Sequence, residues 1–170
     1  MASAHRAAGS SATSDRLVQP HWITVGRVAR YLGAAALVGV GVDHLWQFYV
    51  DSYSVIPTIG TLFALNFVSA LVVALGLVVP LQRLSPRWGR TLLTLLAAAG
   101  AGIAVGSFAG LAVSETTGLF GFRESGYRGA IVLAIALDAA AVMFLSTFLG
   151  AGWRSRPPGA TRPARTQRSR

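Results

Sequence analysis

Three ionisable side chains lie within long apolar stretches of the sequence: Asp43, His44 and Asp138. Asp43 follows Arg30 by 13 residues, which is about 20 Å along a helix, and Asp138 follows Arg128 by 10 residues, or about 15 Å. In a bilayer such a group costs roughly 2.5–3.5 kcal/mol at the centre of a helix, so each one needs a partner, a proton or a function. A carboxyl and an imidazole placed together could relay a proton.

Other polar residues accompany these three at helical spacing. Asp43, Gln47 and Asp51 are four residues apart and therefore share one face of a helix. Asn66 lies eight residues into the next apolar segment, at a comparable depth. We expect five residues to face one another inside the helix bundle, in a small polar cavity open to the outside: Asp43, His44, Gln47, Asn66 and Asp138.

Each member of this cluster also has a simpler interpretation. Asp43 could contact interfacial water, and His44 could be a neutral imidazole bonded to a backbone carbonyl. Asp138 lies deepest and has no cation within four residues. It would pair with His44 or Asn66, or it would be protonated, because burial disfavours the charged form.

The sequence contains no catalytic motif: it has no HExxH, no GxSxG and no P-loop. The absence of cysteine excludes disulfides, thiolate metal sites and cysteine nucleophiles. A haem held by two histidines of one chain is also excluded, because His44 is the only histidine in an apolar segment. Asp43, His44 and Asp138 are suitable ligand types for a metal, but their spacing matches no specific metal-binding motif. The sequence therefore predicts no catalytic residue and no metal ligand, and it identifies no cofactor.

Helices must position these side chains. The 170 residues are 53% hydrophobic and only 12% charged, with a mean hydropathy of +0.55, whereas a soluble domain carries about 25% charged residues. A soluble bundle would also need polar outward faces, which the apolar segments lack. Four segments reach the roughly 20 residues that a membrane-spanning helix needs: residues 28–50, 58–81, 91–113 and 129–151. We predict an all-α fold, a four-helix transmembrane bundle.

Both ends of the chain are polar. Residues 1–27 lack the apolar core of a signal peptide, so we predict a disordered cytoplasmic tail followed by an uncleaved signal anchor. Residues 152–170, rich in Arg and Pro, predict a second disordered cytoplasmic tail. Arginines in this tail would bind anionic lipids of the inner leaflet, with about 1 kcal/mol for each arginine near the surface. Nucleic acid is not an expected partner, although such a tail would also bind phosphates.

The arginines predict the orientation. There are 15 basic residues, all of them arginine, and the loops on one side hold only two of these, Arg123 and Arg128. Three acidic residues balance them and are candidate loop residues of the outer side: Asp51, Glu115 and Glu124. By the positive-inside rule, the other thirteen arginines place both termini in the cytoplasm of a protein in the cell membrane.

A stripe of glycines marks the third apolar segment. Gly102, Gly106 and Gly110 are four residues apart, a spacing that lets a second helix backbone approach closely. We expect this stripe to pack against another helix, either of the same chain or of a second copy in a homo-oligomer or a partner membrane protein.

Two sequence patterns resemble a known group of proteins. The first is Asp43-His44-Leu45 with the stretch from Tyr53 to Asn66, and the second is Thr117 to Glu124 followed by the acid Asp138. Over residues 28–150 these patterns resemble small, uncharacterised four-helix membrane proteins of high-GC Gram-positive bacteria (actinobacteria). The resemblance implies the four-helix fold and no particular activity. In that family the acid of the fourth helix is often Glu, and Asp138 would be its counterpart with a shorter side chain.

Three functions fit these features. The first is a structural or accessory membrane subunit that carries an outer-side polar cluster. The second is a small proton-linked transporter component that uses Asp138 and His44 as a relay, although four helices are few for a transporter unless the chain dimerises. The third is a membrane redox protein that binds haem, copper or quinone near His44. The sequence does not separate these three.

Overall fold

The computed structural model describes the backbone of residues 5–85, 87–121 and 129–155, and within these ranges the side chains from residue 21 onward. Among the described residues there are helices and no β-strand, which confirms the all-α class. A short 3-10 turn, Tyr53–Val55, connects the first two helices. The helices are α1 (His5–Tyr49), α2 (Pro57–Val78), α3 (Leu81–Leu84), α4 (Gly89–Thr116) and α5 (Gly129–Arg154).

Four of these helices are long and apolar enough to cross a membrane: His21–Tyr49 of α1, and all of α2, α4 and α5. They correspond to the four apolar segments predicted from the sequence. Their ends differ by several residues, because hydropathy marks the apolar part of a helix, whereas proline and hydrogen bonding determine where it ends. Pro57 starts α2, where its fixed φ suits a first turn. Pro80 forces the preceding Val79 to be extended, so α2 stops at Val78 and the unpredicted α3 follows.

The helices at both ends of the bundle extend into the predicted tails. α1 begins at His5 and continues into the first spanning helix. Hydropathy does not detect this extension, because a polar stretch can continue a helix that an apolar stretch has already nucleated. α5 likewise continues to Arg154, three residues into the predicted tail at 152–170. Residues 1–4 and 156–170, which include most of the arginine tail, lie outside the described residues.

α1 runs antiparallel to α5 and packs closely against it. Gly33 lies against the side chain of Leu145, and Gly39 lies against that of Leu137. Glycine at these positions lets the two backbones approach, which gains van der Waals contact. α1 also packs against α2, so it occupies a central place between α2 and α5.

The apolar core fills the middle and one half of the bundle. Gly100 of α4 lies against Leu37 and Leu145, so α4 joins α1 and α5 at this level. The buried core includes Leu37, Val73, Leu77, Leu93, Ala97 and Leu145. We call the end of the bundle that holds the α3–α4 connection the Trp88 end, and the opposite end the Tyr53 end. The core extends toward the Trp88 end, and the polar residues lie toward the Tyr53 end.

Candidate ligand-binding cavity

α2 and α4 touch near the Trp88 end and separate toward the Tyr53 end. Gly76 of α2 lies against Leu96 of α4, whereas Gly102, Gly106 and Gly110 have no atom within 4 Å of the place where a Cβ would stand. The gap is a cavity of about 360 Å³, lined by residues of α1, α2, α4, α5 and the 3-10 turn. Its volume lies in the range of about 300–1,000 Å³ that small-molecule sites occupy.

The mouth of the cavity lies on the side of the bundle, between α2 and α4. Leu62, Leu65, Gly102 and Gly106 line the cavity, and all four are exposed, Leu65 to 57%. Leu65 and Gly102 lie near the middle of their helices and not at the ends. The way into the cavity therefore leads through the apolar side surface of the protein.

A chain of hydrogen bonds connects α1, α4 and α5 at the base of the cavity. His44 Nδ1 lies 2.9 Å from the carbonyl oxygen of Val40, and His44 Nε2 lies 3.3 Å from Ser107 Oγ. Ser107 also hydrogen-bonds to the Asp138 carboxyl. A carbonyl oxygen only accepts, so Nδ1 carries a hydrogen and donates it to Val40.

The polarity of the remaining bonds depends on one shared proton. If Nε2 carries no hydrogen, Ser107 donates to it, and a protonated Asp138 donates to Ser107. If Nε2 carries a hydrogen, it donates to Ser107, which then donates to an ionised Asp138. A neutral imidazole beside an ionised carboxylate would leave one acceptor unpaired, because a hydroxyl has a single hydrogen. The two fully bonded arrangements hold the same number of protons, and His44 and Asp138 together carry no net charge in either.

Two buried oxygen atoms in the residues that line the cavity have no hydrogen-bond partner. Asp138 is only 4% exposed, and its Oδ1 is unpaired. Oδ1 of Asn66 on α2 is also buried and unpaired. Leaving a buried acceptor unpaired costs about 1–3 kcal/mol, so a molecule that donates hydrogen bonds here would recover that free energy.

Aromatic rings form the wall of the cavity at the Tyr53 end. The rings of Tyr53 and Phe63 are stacked with centroids 4.8 Å apart, and Phe63 lies 5.0 Å from the His44 ring. The backbone holds Tyr53 in place: Ser52 adopts a left-handed φ of 62°, and a Cβ at position 60 would lie 2.8 Å from the Tyr53 carbonyl oxygen. Glycine at position 60 is therefore required for the 3-10 turn to pack against α2 and to place Tyr53 in the wall of the cavity.

The structure brings together four of the five residues of the predicted polar cluster in the cavity lining: His44, Gln47, Asn66 and Asp138. Asp43 is not in the lining. It is buried beside the cavity, where its Oδ2 accepts a hydrogen bond of 2.5 Å from Gln47 Nε2. Of the candidate loop residues, Asp51 and Glu115 are partly exposed at the Tyr53 end, and Glu124 lies outside the described residues.

Within the described residues, the glycine stripe does not pack against another helix. Gly102, Gly106 and Gly110 border the cavity, and the close helix contacts occur at Gly33 and Gly100. Four-residue spacing of glycines identifies a flat helix face, but it does not identify what lies opposite that face. Packing of the stripe against a second copy stays a prediction.

Three features of the structure are not predicted from the sequence: the role of Ser107, the aromatic wall and the burial of Arg30. Ser107 follows Gly106 in an apolar segment, and a polar side chain within an apolar segment is the same signal that indicated the cluster. Arg30 is a charged residue near the start of the first apolar segment, and it is only 8% exposed. Its Nη2 donates to the Tyr31 hydroxyl at 2.7 Å, and its Nε has no partner.

Among the described residues, no group of three or more His, Cys, Asp or Glu side chains is arranged to hold a metal ion. Asp43, His44 and Asp138 therefore do not form a metal-binding cluster in this part of the chain. Asp43 pairs with Gln47, and His44 pairs with Val40 and Ser107.

Comparison of the chain with protein-family models, with curated proteins and with solved structures found no match. The family resemblance of the sequence stays a prediction.

Proposed function

We propose that this chain is a multi-pass integral membrane protein whose cavity between α2 and α4 binds a small lipid-soluble molecule. Four helices of spanning length support the membrane location. Large apolar side chains exposed along these helices support it as well, because water would disfavour such a surface and lipid would not. The distribution of arginine favours the cell membrane, with both termini cytoplasmic and the Tyr53 end outside.

The observation that carries the binding function is the position of the cavity mouth. Apolar residues of α2 and exposed glycines of α4 border it on the side of the bundle, near the middle of two helices of spanning length. In a bilayer, the middle of such a helix would lie in the hydrocarbon core. A molecule dissolved in lipid would reach the cavity directly by moving between α2 and α4. The walls are mainly apolar, and the polar atoms converge on the base, as in most small-molecule sites.

Filling the cavity tests this function. Gly106→Leu would place a side chain in the open space, while Gly150→Leu makes the same change at an exposed glycine of α5 outside the cavity. We expect mass spectrometry of the protein in lipid nanodiscs to detect a bound lipid-soluble molecule with the wild type and with Gly150→Leu, and not with Gly106→Leu. Equal occupancy of all three proteins, or none in any, would contradict the function.

If a helix of a second copy instead packs against the exposed glycines, the protein has a structural or accessory role. In that case Gly106→Leu would convert an oligomer to a monomer, which size-exclusion chromatography with light scattering measures. The flat face at Gly102 and Gly106 would then be an interface and not a mouth.

The chain of His44, Ser107 and Asp138 favours a second candidate function, proton handling in a transporter component. Its two arrangements differ by the shift of two hydrogens, which is what a proton relay requires. Proton uptake by proteoliposomes under an imposed pH gradient tests this candidate. Proton uptake by the wild type that is lost in Ser107→Ala would support this candidate. The absence of uptake with the wild type would contradict it.

A further inference from the structure

We infer that the molecule bound in the cavity carries a neutral ring with a hydroxyl group, a phenol or hydroquinone head on an apolar tail, and that its hydroxyl donates to Asp138 Oδ1. This inference rests on the proposed binding function and names its ligand class. Three features of the cavity carry it: an unpaired acceptor at the base, an aromatic wall beside it and an apolar mouth.

The acceptor determines the polarity of the head group. Oδ1 of Asp138 accepts in both arrangements of the proton, because Ser107 is bonded to the carboxyl and leaves Oδ1 unpaired. A ligand with only acceptors, such as a ketone or an ether, would leave this oxygen unpaired. The amide of Asn66 can rotate to accept or to donate, and a hydroxyl suits either orientation because it does both.

The electrostatic balance of the base disfavours a charged head. His44 and Asp138 share one proton and together carry no net charge, so a cation would be attracted only by Asp43, which lies outside the cavity lining and is paired with Gln47. A cation would still lose its hydration on entering an apolar cavity. A neutral donor avoids that cost and still satisfies the acceptor.

The walls suit a ring and a tail. Tyr53, Phe63 and His44 present three rings on one side of the cavity, next to which a planar head could stack or lie edge-on. The tail would extend out of the cavity between Leu65 and Gly106, where no described atom lies within 4 Å of the place of a Gly106 Cβ.

Ligand binding then moves the shared proton. A hydroxyl that donates to Oδ1 stabilises the ionised carboxylate more than the protonated acid. From the arrangement with a protonated Asp138, the proton passes to Ser107 Oγ while the hydrogen of Ser107 passes to His44 Nε2, and the number of protons is unchanged. Infrared difference spectroscopy should show the loss of a protonated carboxyl band on binding, and Asp138→Asn should lack this change.

A matched pair of probes tests the head group: an alkyl hydroquinone and its dimethyl ether, which has the same ring and tail but no donor. Their affinities are measured by calorimetry with the protein in nanodiscs, corrected with empty nanodiscs. We expect the wild type to bind the hydroquinone at least tenfold more tightly, a factor that corresponds to about 1.4 kcal/mol. Asp138→Leu should bring the ratio close to one. Asp43→Asn, which changes a carboxyl outside the cavity lining, should preserve the ratio.

The outcomes separate the head group from the cavity itself. If both probes bind wild type equally and Gly106→Leu abolishes both, the cavity binds apolar molecules and the hydroxyl inference is overturned. Tighter binding of an alkylamine than of the hydroquinone would also overturn it. If neither probe binds and no lipid-soluble molecule copurifies, the proposed function fails together with the inference. Because the ratio of the probes is measured on wild type, the test does not depend on whether Asp138→Leu folds.

Discussion

Ser107 Oγ of α4 lies 3.3 Å from Nε2 of His44 on α1, across the base of the cavity. α1 packs mainly against α2 and α5. This side-chain bridge is therefore a second contact between α1 and α4, beside the one between Leu37 and Gly100. It also orients the imidazole, because Val40 already occupies Nδ1. The bridge connects His44 of α1 with Asp138, the acidic residue of α5.

Ser107→Ala should destabilise the protein without unfolding it. The change removes a hydroxyl that bonds to His44 and to Asp138, and unpaired buried groups cost about 1–3 kcal/mol. Thermal unfolding in detergent measures the loss. Ser69→Ala removes another hydroxyl from the cavity lining and leaves the bridge intact, so it serves as the control. Equal losses in the two variants would show that the bridge contributes no stability.

The same substitution should destabilise the protein at one glycine of α4 and have little effect at another. A Cβ at Gly100 would lie 2.7 Å from Leu37 Cδ1 and 2.9 Å from Leu145 Cδ1, whereas one at Gly106 meets nothing within 4 Å. Gly100→Leu should therefore lower the free energy of unfolding by about 1–3 kcal/mol or more through overpacking. Gly106→Leu should leave the unfolding temperature of the monomer nearly unchanged. A large loss of stability in monomeric Gly106→Leu would disprove the open space.

Gln47→Leu should be more harmful than the double change Asp43→Leu with Gln47→Leu. Gln47 Nε2 donates to Asp43 Oδ2 at 2.5 Å, and both side chains are buried. Removing the donor alone leaves a buried carboxyl without its partner, at a cost of about 1–3 kcal/mol, while removing both polar groups avoids it. A double-mutant cycle of unfolding free energies measures the coupling, and additive losses would contradict this pairing.

Single cysteines should report the orientation of the protein in the membrane. The sequence contains no cysteine, so each introduced thiol reacts alone. Ser54→Cys, in the 3-10 turn, should react with an impermeant maleimide added to whole cells. Arg87→Cys, between α3 and α4, should react only after the cells are opened. The reverse pattern would invert the topology that the arginines predict.

Much of the fold follows from the sequence itself. Long apolar runs determine four helices of spanning length, because in any fold their backbone groups must be paired and their side chains kept from water. Helical spacing also placed Asp43 and Gln47 on one face of α1, and this local relationship holds in the structure as a hydrogen bond. Both relationships lie within a single helix, so periodicity alone was sufficient.

Only the tertiary structure decided what faces the glycines of α4 and which residue connects His44 to Asp138. The stripe at Gly106 and the packed position at Gly100 look alike in sequence, yet one borders a cavity and the other the core. Ser107 joins two residues that are distant along the chain. Such contacts depend on how far α2 and α4 separate, and that distance is the result of side-chain packing over the whole bundle, which no local pattern encodes.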